Sequence, residues 1–355
     1  MSRNNNFDCL RLMAALMVLV SHSFPLSGAP YEPFRQWLGG YDSGGEIGVA
    51  IFFVISGFLV SSSVSRHSTT GYLASRILRI IPALAVVSCF EVFVIGPVFT
   101  THSLTAYFSD LSTWDHFANP MIFRTSFYLP GVFESLPHPG VNGSLWTLPA
   151  ECGLYLILPA LAFCGGLTKR GALLAFGICA AGYLVATGYF GLHWGNPGPQ
   201  VIKGILAFNA LKLATFFFAG VALWANRDIV PLHAGGAALC GIGLYAVAQT
   251  VTAPVAYFIC LPYLVLFVAL KTPVVSLKKI GDLSYGTYLF AFPMQQSLVS
   301  IFGAGHIGPI QLSALAIPIV LALAFVSWRF VEAPALRLRD REKGAAFIPI
   351  TRIAA

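Results

Sequence analysis

The sequence predicts an all-α fold, a polytopic transmembrane helix bundle of about ten spans, from its composition and its recurring apolar segments. Of the 355 residues, 57% are hydrophobic and only 10% are charged, whereas soluble domains carry about 25% charged residues. A spanning helix needs about 20 mainly apolar residues, and such segments recur along the whole chain. We therefore interpret residues 1–335 as one membrane domain and residues 336–355 as a basic cytoplasmic tail.

Glycine, proline and polar residues separate the predicted spans. The break between the seventh and eighth spans is the weakest, since only Thr250–Ala253 separates them. The ten predicted spans are 7–27, 45–63, 79–99, 146–164, 171–191, 204–225, 232–250, 253–270, 281–301 and 310–330.

The distribution of Lys and Arg predicts the orientation of the bundle. If the N-terminus is cytoplasmic, all but four of the 21 basic residues fall at cytoplasmic helix ends, loops and the tail. The four exceptions are Arg35, Arg124, Lys203 and Lys212. Because cytoplasmic loops of membrane proteins are enriched in Lys and Arg, this bias predicts that both termini are cytoplasmic.

The same bias accounts for the net charge of +7. A basic chain could also bind nucleic acid or another anion, but here we expect membrane lipid and no nucleic acid. The seven cysteines form no CxxC pair, so we interpret them as small buried hydrophobic residues and expect no metal.

Two ionisable residues lie inside the first predicted span, Arg11 and His22. Eleven helical steps of about 100° return almost to the starting direction, so both side chains lie on one helix face, about 16 Å apart. In the alternative interpretation, the Arg11 side chain extends to the cytoplasmic surface, and His22 only forms a hydrogen bond within the bundle. The pair on one face favours a functional site, because charges inside a membrane are costly.

Arg76 and Arg79 open the third span. Residues three apart are neighbours on a helix, and two guanidinium groups suit a phosphate ligand. A basic helix start also suits anionic lipid, which is the alternative.

Two further charged residues lie at or within spans. Glu151 follows Gly143–Ala150 at the start of the fourth span. Its carboxylate would orient a catalytic His or simply be solvated at a helix N-terminus. Lys212, in the sixth span, would extend outward or pair with a carboxylate.

The longest loop, about residues 100–145, lies outside the membrane in this orientation. It combines aromatic and polar residues, as carbohydrate sites do, although ordinary interfacial loops are also rich in Trp and Tyr. These residues are Trp114, Asp115, His116, Tyr128, His138 and Asn142.

Several motifs in fixed order resemble those of the acyltransferase-3 family of membrane acyltransferases. They are Arg11 and His22 with ten residues between them, FFVISGFL at 52–59, RILRIIP at 76–82, NGSLWTLPAE at 142–151, LSYGTYL at 283–289 and FVEAP at 330–334. Within this family, the chain is similar to members that O-acetylate lipopolysaccharide and exopolysaccharide. It departs from them at 290–293, where FAFP replaces an aromatic–His–x–Pro sequence, so no catalytic His is expected in span nine.

The resemblance implies an O-acetyltransferase of the bacterial inner membrane that takes an acyl group, expected to be acetyl, from cytoplasmic acyl-coenzyme A. The acceptor would be a hydroxyl of a polysaccharide or a lipid-linked glycan. Arg76, Arg79, Arg11 and Ser56 would bind the donor, acetyl-CoA being a substrate and no metal being needed. His22 would be the general base, or would carry the acyl group covalently. Glu151 would orient His22 or the acceptor.

The main alternative is a proton-coupled transporter or lipid flippase that uses His22 and Glu151 as a proton relay. That class predicts repeated halves and broken helices, and we find no internal repeat in the sequence. A passive scaffold would leave Arg11 and His22 unexplained.

The orientation can be tested with reporter fusions at each terminus. Reporters that are active only in the cytoplasm should be active at both ends, because the basic residues bias both termini inward. A fusion that places either terminus outside would contradict the predicted orientation and would put Arg76 and Arg79 on the wrong face for a cytoplasmic donor.

Overall fold

The computed structural model describes residues 5–192, 200–202, 205–277 and 279–338. Within these residues, ten helices have between 14 and 22 residues, and we number them in chain order. They are α1 (Phe7–Leu26), α2 (Gly44–Val64), α3 (Thr69–Phe90), α4 (Leu148–Phe163), α5 (Lys169–Gly188), α6 (Ala207–Ala225), α7 (Ala234–Val247), α8 (Ala253–Lys271), α9 (Ser284–Phe302) and α10 (Pro309–Ser327).

Short elements connect or extend the long helices. Short α-helices span Pro33–Trp37, Gly96–Phe99, Leu104–Ser109 and Leu111–Asp115, and 3-10 helices span His116–Met121 and Gly143–Thr147. Wide π turns at Glu91–Ile95 and Trp328–Glu332 continue α3 and α10. Two short antiparallel strands, β1 (Gln200–Ile202) and β2 (Ile205–Leu206), precede α6.

The predicted polytopic helical bundle is confirmed, and a helix lies at each of the ten predicted spans. Eight of them are long and apolar enough to cross a membrane. The two others are α7, which has only 14 residues, and α9, which is long enough but carries polar residues such as Gln295 and Gln296. Residues 339–355, most of the predicted basic tail, lie outside the described residues.

Helix α2 packs between α1 and α6 at backbone distance. A Cβ atom added to Gly57 would overlap the carbonyl oxygen of Phe217, and one added to Gly220 would overlap that of Val54. On the α1 side, a Cβ at Gly48 would meet the carbonyl oxygen of Ala14. Small residues therefore let three helices pack closely, as they do in many membrane bundles.

The two ends of the bundle differ in their charged residues. The starts of α1 and α3 lie at the same end, because Arg11 and Arg79 both contact Asp282; we call this the arginine end. His22, near the end of α1, lies at the opposite end with Glu46 at the start of α2; we call this the histidine end. That the arginine end faces the cytoplasm stays a prediction, based on the distribution of the basic residues.

Replacing Gly57 with Ala should destabilise the bundle, because α2 and α6 must separate to admit the new Cβ atom. Overpacking of a core typically costs about 1–3 kcal/mol. Thermal unfolding of the purified protein in detergent measures this loss. Gly177→Ala, in α5, is the matched control, because its Cβ meets nothing within 4 Å. Equal unfolding temperatures for the two variants would contradict the packing described here.

Candidate active site

The arginine end brings together three of the residues predicted to act at the site. Asp282, just before α9, accepts a hydrogen bond from Arg79 Nη2 at 2.6 Å, and Arg11 Nη1 lies 3.4 Å from the same oxygen. Glu332, in the π turn after α10, lies 3.7 Å from Arg79 Nη1. Arg76 lines the same cavity as Arg11 and Arg79. The four helices α1, α3, α9 and α10 thus meet around one cluster of charges.

Asp282 remains ionised within this cluster. Its burial alone would raise the pKa of the carboxyl, but Arg79 and Arg11, together with hydrogen bonds from Ser284, lower the pKa below its ordinary value. Arg79 therefore has an ionised partner in Asp282 and a second carboxylate nearby in Glu332. Most of its charge is neutralised within the protein.

Arg76 differs from Arg79 in this respect. It forms no ion pair with any carboxylate that the structure describes, and its only side-chain hydrogen bond there runs from Nε to Ser75 Oγ at 3.3 Å. Its guanidinium lies 5.7 Å from the ring centroid of Tyr155. Arg76 is consequently the arginine with charge and donors left for a bound anion.

Three adjoining cavities run from the arginine end to the histidine end. The first, of about 520 Å³, and the second, of about 90 Å³, share Arg11, Arg76 and Arg79 in their linings. The second and third share Val49 and Tyr288, and the third has a volume of about 470 Å³. We call them the arginine, middle and histidine cavities. The middle cavity is much the smallest of the three.

Ser56, Glu151 and Tyr155 form a hydrogen-bonded group in the middle cavity. Ser56 Oγ donates to Glu151 Oε1 at 3.2 Å, and the Tyr155 hydroxyl lies 2.5 Å from the same oxygen. Ser56, predicted to bind the donor, thus lines the path between the two larger cavities.

One of the two roles expected for Glu151 was to orient His22, but the two residues line different cavities in the structure. Glu151 lies one turn inside α4 and faces Ser56 of α2, whereas His22 lines the histidine cavity, among whose described lining residues Glu151 does not occur. Both residues were expected near the outer surface, but the 3-10 turn Gly143–Thr147 comes before α4 and Glu151 lies deeper in the bundle.

His22 lies in the histidine cavity against the edge of an aromatic ring. Its ring centroid is 5.5 Å from that of Phe292, and the two rings are nearly perpendicular. Its Nδ1 atom is buried and has no hydrogen-bond partner among the described residues. A buried nitrogen without a partner is costly in a folded protein, which makes His22 a candidate for a chemical role.

A carboxylate that sequence reasoning missed, Glu46, lines the cavity of His22. Glu46 is the third residue of α2 and forms a capping box with Ser43. Its Oε2 accepts hydrogen bonds from Ser43 N at 2.8 Å and from Arg35 Nη2 at 2.6 Å. The Ser-x-x-Glu spacing at 43–46 was the available signal, since it marks a capped helix start with a fixed carboxylate.

Lys212 takes the second of its two predicted roles, because it pairs with a carboxylate. Lys212 Nζ forms an ion pair with Asp42 and lies 3.8 Å from Glu46 Oε1. Burial raises the pKa of Asp42 to about 7, and Lys212 opposes that rise. This ion pair joins α6 to the segment before α2 and so supports the helix start that carries Glu46.

Comparisons with known proteins identify the family. A model of the acyltransferase domain family matches residues 4–329, nearly the whole described chain. The chain belongs to the acyltransferase-3 family. It is 32% identical over 339 residues to a protein of Shigella phage Sf6 named O-acetyl transferase, an alignment that covers 94% of this chain and 96% of the phage protein.

A second relative is Nodulation protein 10 of Rhizobium leguminosarum bv. viciae, which is 31% identical over 375 residues with 94% of each chain covered. No solved structure matches the chain. Family membership confirms the predicted resemblance and enzyme class: this acyltransferase-3 protein is an O-acetyltransferase with a multi-pass helical bundle. It also decides against the transporter alternative.

Proposed function

We propose that this acyltransferase moves an acyl group, expected to be acetyl, from acyl-coenzyme A to a hydroxyl of a glycan. The glycan is a surface or exported polysaccharide, or a lipid-linked glycan. The donor binds from the cytoplasm and the protein resides in the bacterial inner membrane. The observation that carries the proposal is the row of three cavities, with arginines at one end and His22 at the other.

The arginine cavity suits the nucleotide part of the donor. Arg76 offers an unpaired guanidinium, and a guanidinium binds phosphate oxygens through two parallel hydrogen bonds. Arg11 and Arg79 add positive charge at the same opening, although Asp282 offsets part of it. The cavity has the volume of a small-molecule site, which is typically about 300–1,000 Å³.

The middle cavity suits the pantetheine arm, which is a flexible chain. Arg11 and His22 lie about 16 Å apart along α1, a distance that an extended arm can cover. Ser56, Glu151 and Tyr155 offer hydroxyl and carboxylate groups along this path for the amides of the arm. The thioester would then lie close to Val49 and Tyr288, where the middle and histidine cavities adjoin.

The histidine cavity suits the acceptor and the chemical step. A neutral imidazole takes the proton of the acceptor hydroxyl, whose oxygen attacks the thioester carbonyl; the carbon–sulfur bond breaks, and the coenzyme A thiolate recovers the proton. In the covalent alternative, an imidazole nitrogen of His22 attacks the thioester carbonyl and the carbon–sulfur bond breaks, which releases the coenzyme A thiolate. The acceptor hydroxyl then takes the acyl group from His22, and its proton passes to the thiolate. Both routes require His22 at the meeting point of donor and acceptor.

Replacing Arg76 with Ala should weaken the binding of coenzyme A at least tenfold, because a charge-assisted hydrogen bond contributes about 1.5–3 kcal/mol. Isothermal titration of the purified protein with coenzyme A measures this loss. Arg76→Lys should recover only part of the affinity, because Lys lacks the planar fork. Unchanged affinity in Arg76→Ala would reduce this residue to a lipid contact.

Arg79→Ala makes an informative comparison. It removes the partner of the buried carboxylates Asp282 and Glu332, and breaking such a buried pair typically costs about 3–5 kcal/mol. We expect a lower yield of folded protein for this variant, whereas Arg76→Ala should fold normally.

Replacing His22 with Asn should lower acyl transfer by about 10²–10⁴-fold, the usual contribution of a general base. Asn keeps hydrogen bonding but cannot accept a proton at neutral pH. Transfer of labelled acetyl groups from acetyl-CoA to surface glycan, followed by mass spectrometry, measures the effect.

The matched control for that experiment is His102→Asn, because His102 is exposed in the outer loop. It should transfer acetyl groups normally, and His22→Asn should still bind coenzyme A. Near-normal turnover in His22→Asn would leave His22 as a packing residue, and Glu46 would become the next candidate for the proton acceptor.

A further inference from the structure

Two neighbouring glutamines of α9, Gln295 and Gln296, are completely buried in the bundle. Burying an amide in apolar surroundings is unfavourable unless it forms hydrogen bonds. Each of these amides donates two hydrogen bonds to a different segment of the chain. Both segments carry a histidine that lines the histidine cavity.

Gln295 holds the turn of α1 that contains His22. Its Nε2 donates to Leu19 O at 2.7 Å and to Ser23 Oγ at 2.6 Å. Ser313 of α10 donates a further hydrogen bond to Ser23 Oγ at 2.8 Å. Leu19 and Ser23 lie on either side of His22 in the sequence, so α9 fixes the position of this histidine.

Gln296 holds the outer loop beside a second histidine, His138. Its Nε2 donates to His138 O at 2.5 Å and to Gly140 O at 2.7 Å. These two carbonyl groups belong to the residues immediately before and after Pro139. The exposed loop is therefore anchored to the buried α9 at the residue whose side chain lines the cavity.

His138 lines the same cavity as His22. Trp146 and Tyr31 also line this cavity. An imidazole can donate one hydrogen bond and accept another, which suits a sugar carrying hydroxyls on adjacent carbons. An aromatic ring offers a flat surface for the sugar ring itself.

We infer that His138 is an acceptor-binding residue: it hydrogen-bonds a hydroxyl of the acceptor glycan next to the one that His22 activates, and Gln296 positions it. The inference rests on the proposed function, because it needs a glycan in the histidine cavity. It assigns separate tasks to the two histidines. His22 must accept a proton, whereas His138 needs only to form hydrogen bonds.

The test uses the full-length protein in membrane vesicles with radiolabelled acetyl-CoA. The acceptor is surface polysaccharide extracted from the expressing bacterium and stripped of its O-acetyl groups by mild base. His138→Ala should raise the KM for this polysaccharide by roughly five- to tenfold, the loss expected for a neutral hydrogen bond. The KM for acetyl-CoA should stay at its wild-type value.

Rescue variants separate the two histidines. His138→Gln should recover much of the acceptor KM, because an amide also donates and accepts hydrogen bonds. His22→Gln should stay inactive, because an amide cannot take the proton. Gln296→Met, which keeps the size of the side chain but removes the amide, should raise the acceptor KM in the same direction as His138→Ala.

His102→Ala, in the same outer loop, is the matched control and should leave both KM values unchanged. A wild-type acceptor KM in His138→Ala, or an equal rise in both KM values, would overturn the inference. If the wild-type protein itself transferred no label to the polysaccharide, the proposed function would fail instead. The two failures are therefore distinguishable.

Discussion

Ionised side chains can remain inside an apolar bundle only where opposite charges meet them within the protein, and this constraint determines both ends of the structure. At the arginine end, Asp282 lies between Arg11 and Arg79. At the histidine end, Asp42 pairs with Lys212, and Glu46 lies next to both Lys212 and Arg35. Each group joins segments far apart in the sequence, so the ion pairs also specify which helix ends meet.

The charge groups explain why the cavities differ along their row. Ion pairs hold the helix ends around the two larger cavities, where polar side chains line open space. Between them, α2 approaches α1 and α6 at backbone distance through Gly48 and Gly57. The middle cavity, beside Ser56 and Glu151, has a volume of only about 90 Å³.

Local periodicity allowed part of this site to be predicted from the sequence. The apolar segments located the helices, and the eleven-residue spacing placed Arg11 and His22 on one face of α1. The three-residue spacing of Arg76 and Arg79 likewise placed them at one mouth of the bundle. These inferences succeeded because each depends on one helix alone.

Contacts between distant segments could not be predicted in the same way. Asp282 lies 203 residues from Arg79, and no periodicity relates them. The resemblance implied that Glu151 orients His22 or the acceptor, and sequence alone could not show that Glu151 and His22 line different cavities. The glutamines of α9 show the same limit, because their hydrogen-bond partners lie on other elements of the chain.

Those glutamines also bear on how the histidine cavity keeps its shape. A general base is effective only when it is held within reach of the proton that it removes, and His22 lacks a partner at Nδ1 among the described residues to orient it. Its orientation comes instead from Phe292 and from the hydrogen bonds of Gln295 on either side of it in α1. Because Gln295 and Gln296 are consecutive residues of α9, the turn of His22 and the segment of His138 depend on the same helix for their positions.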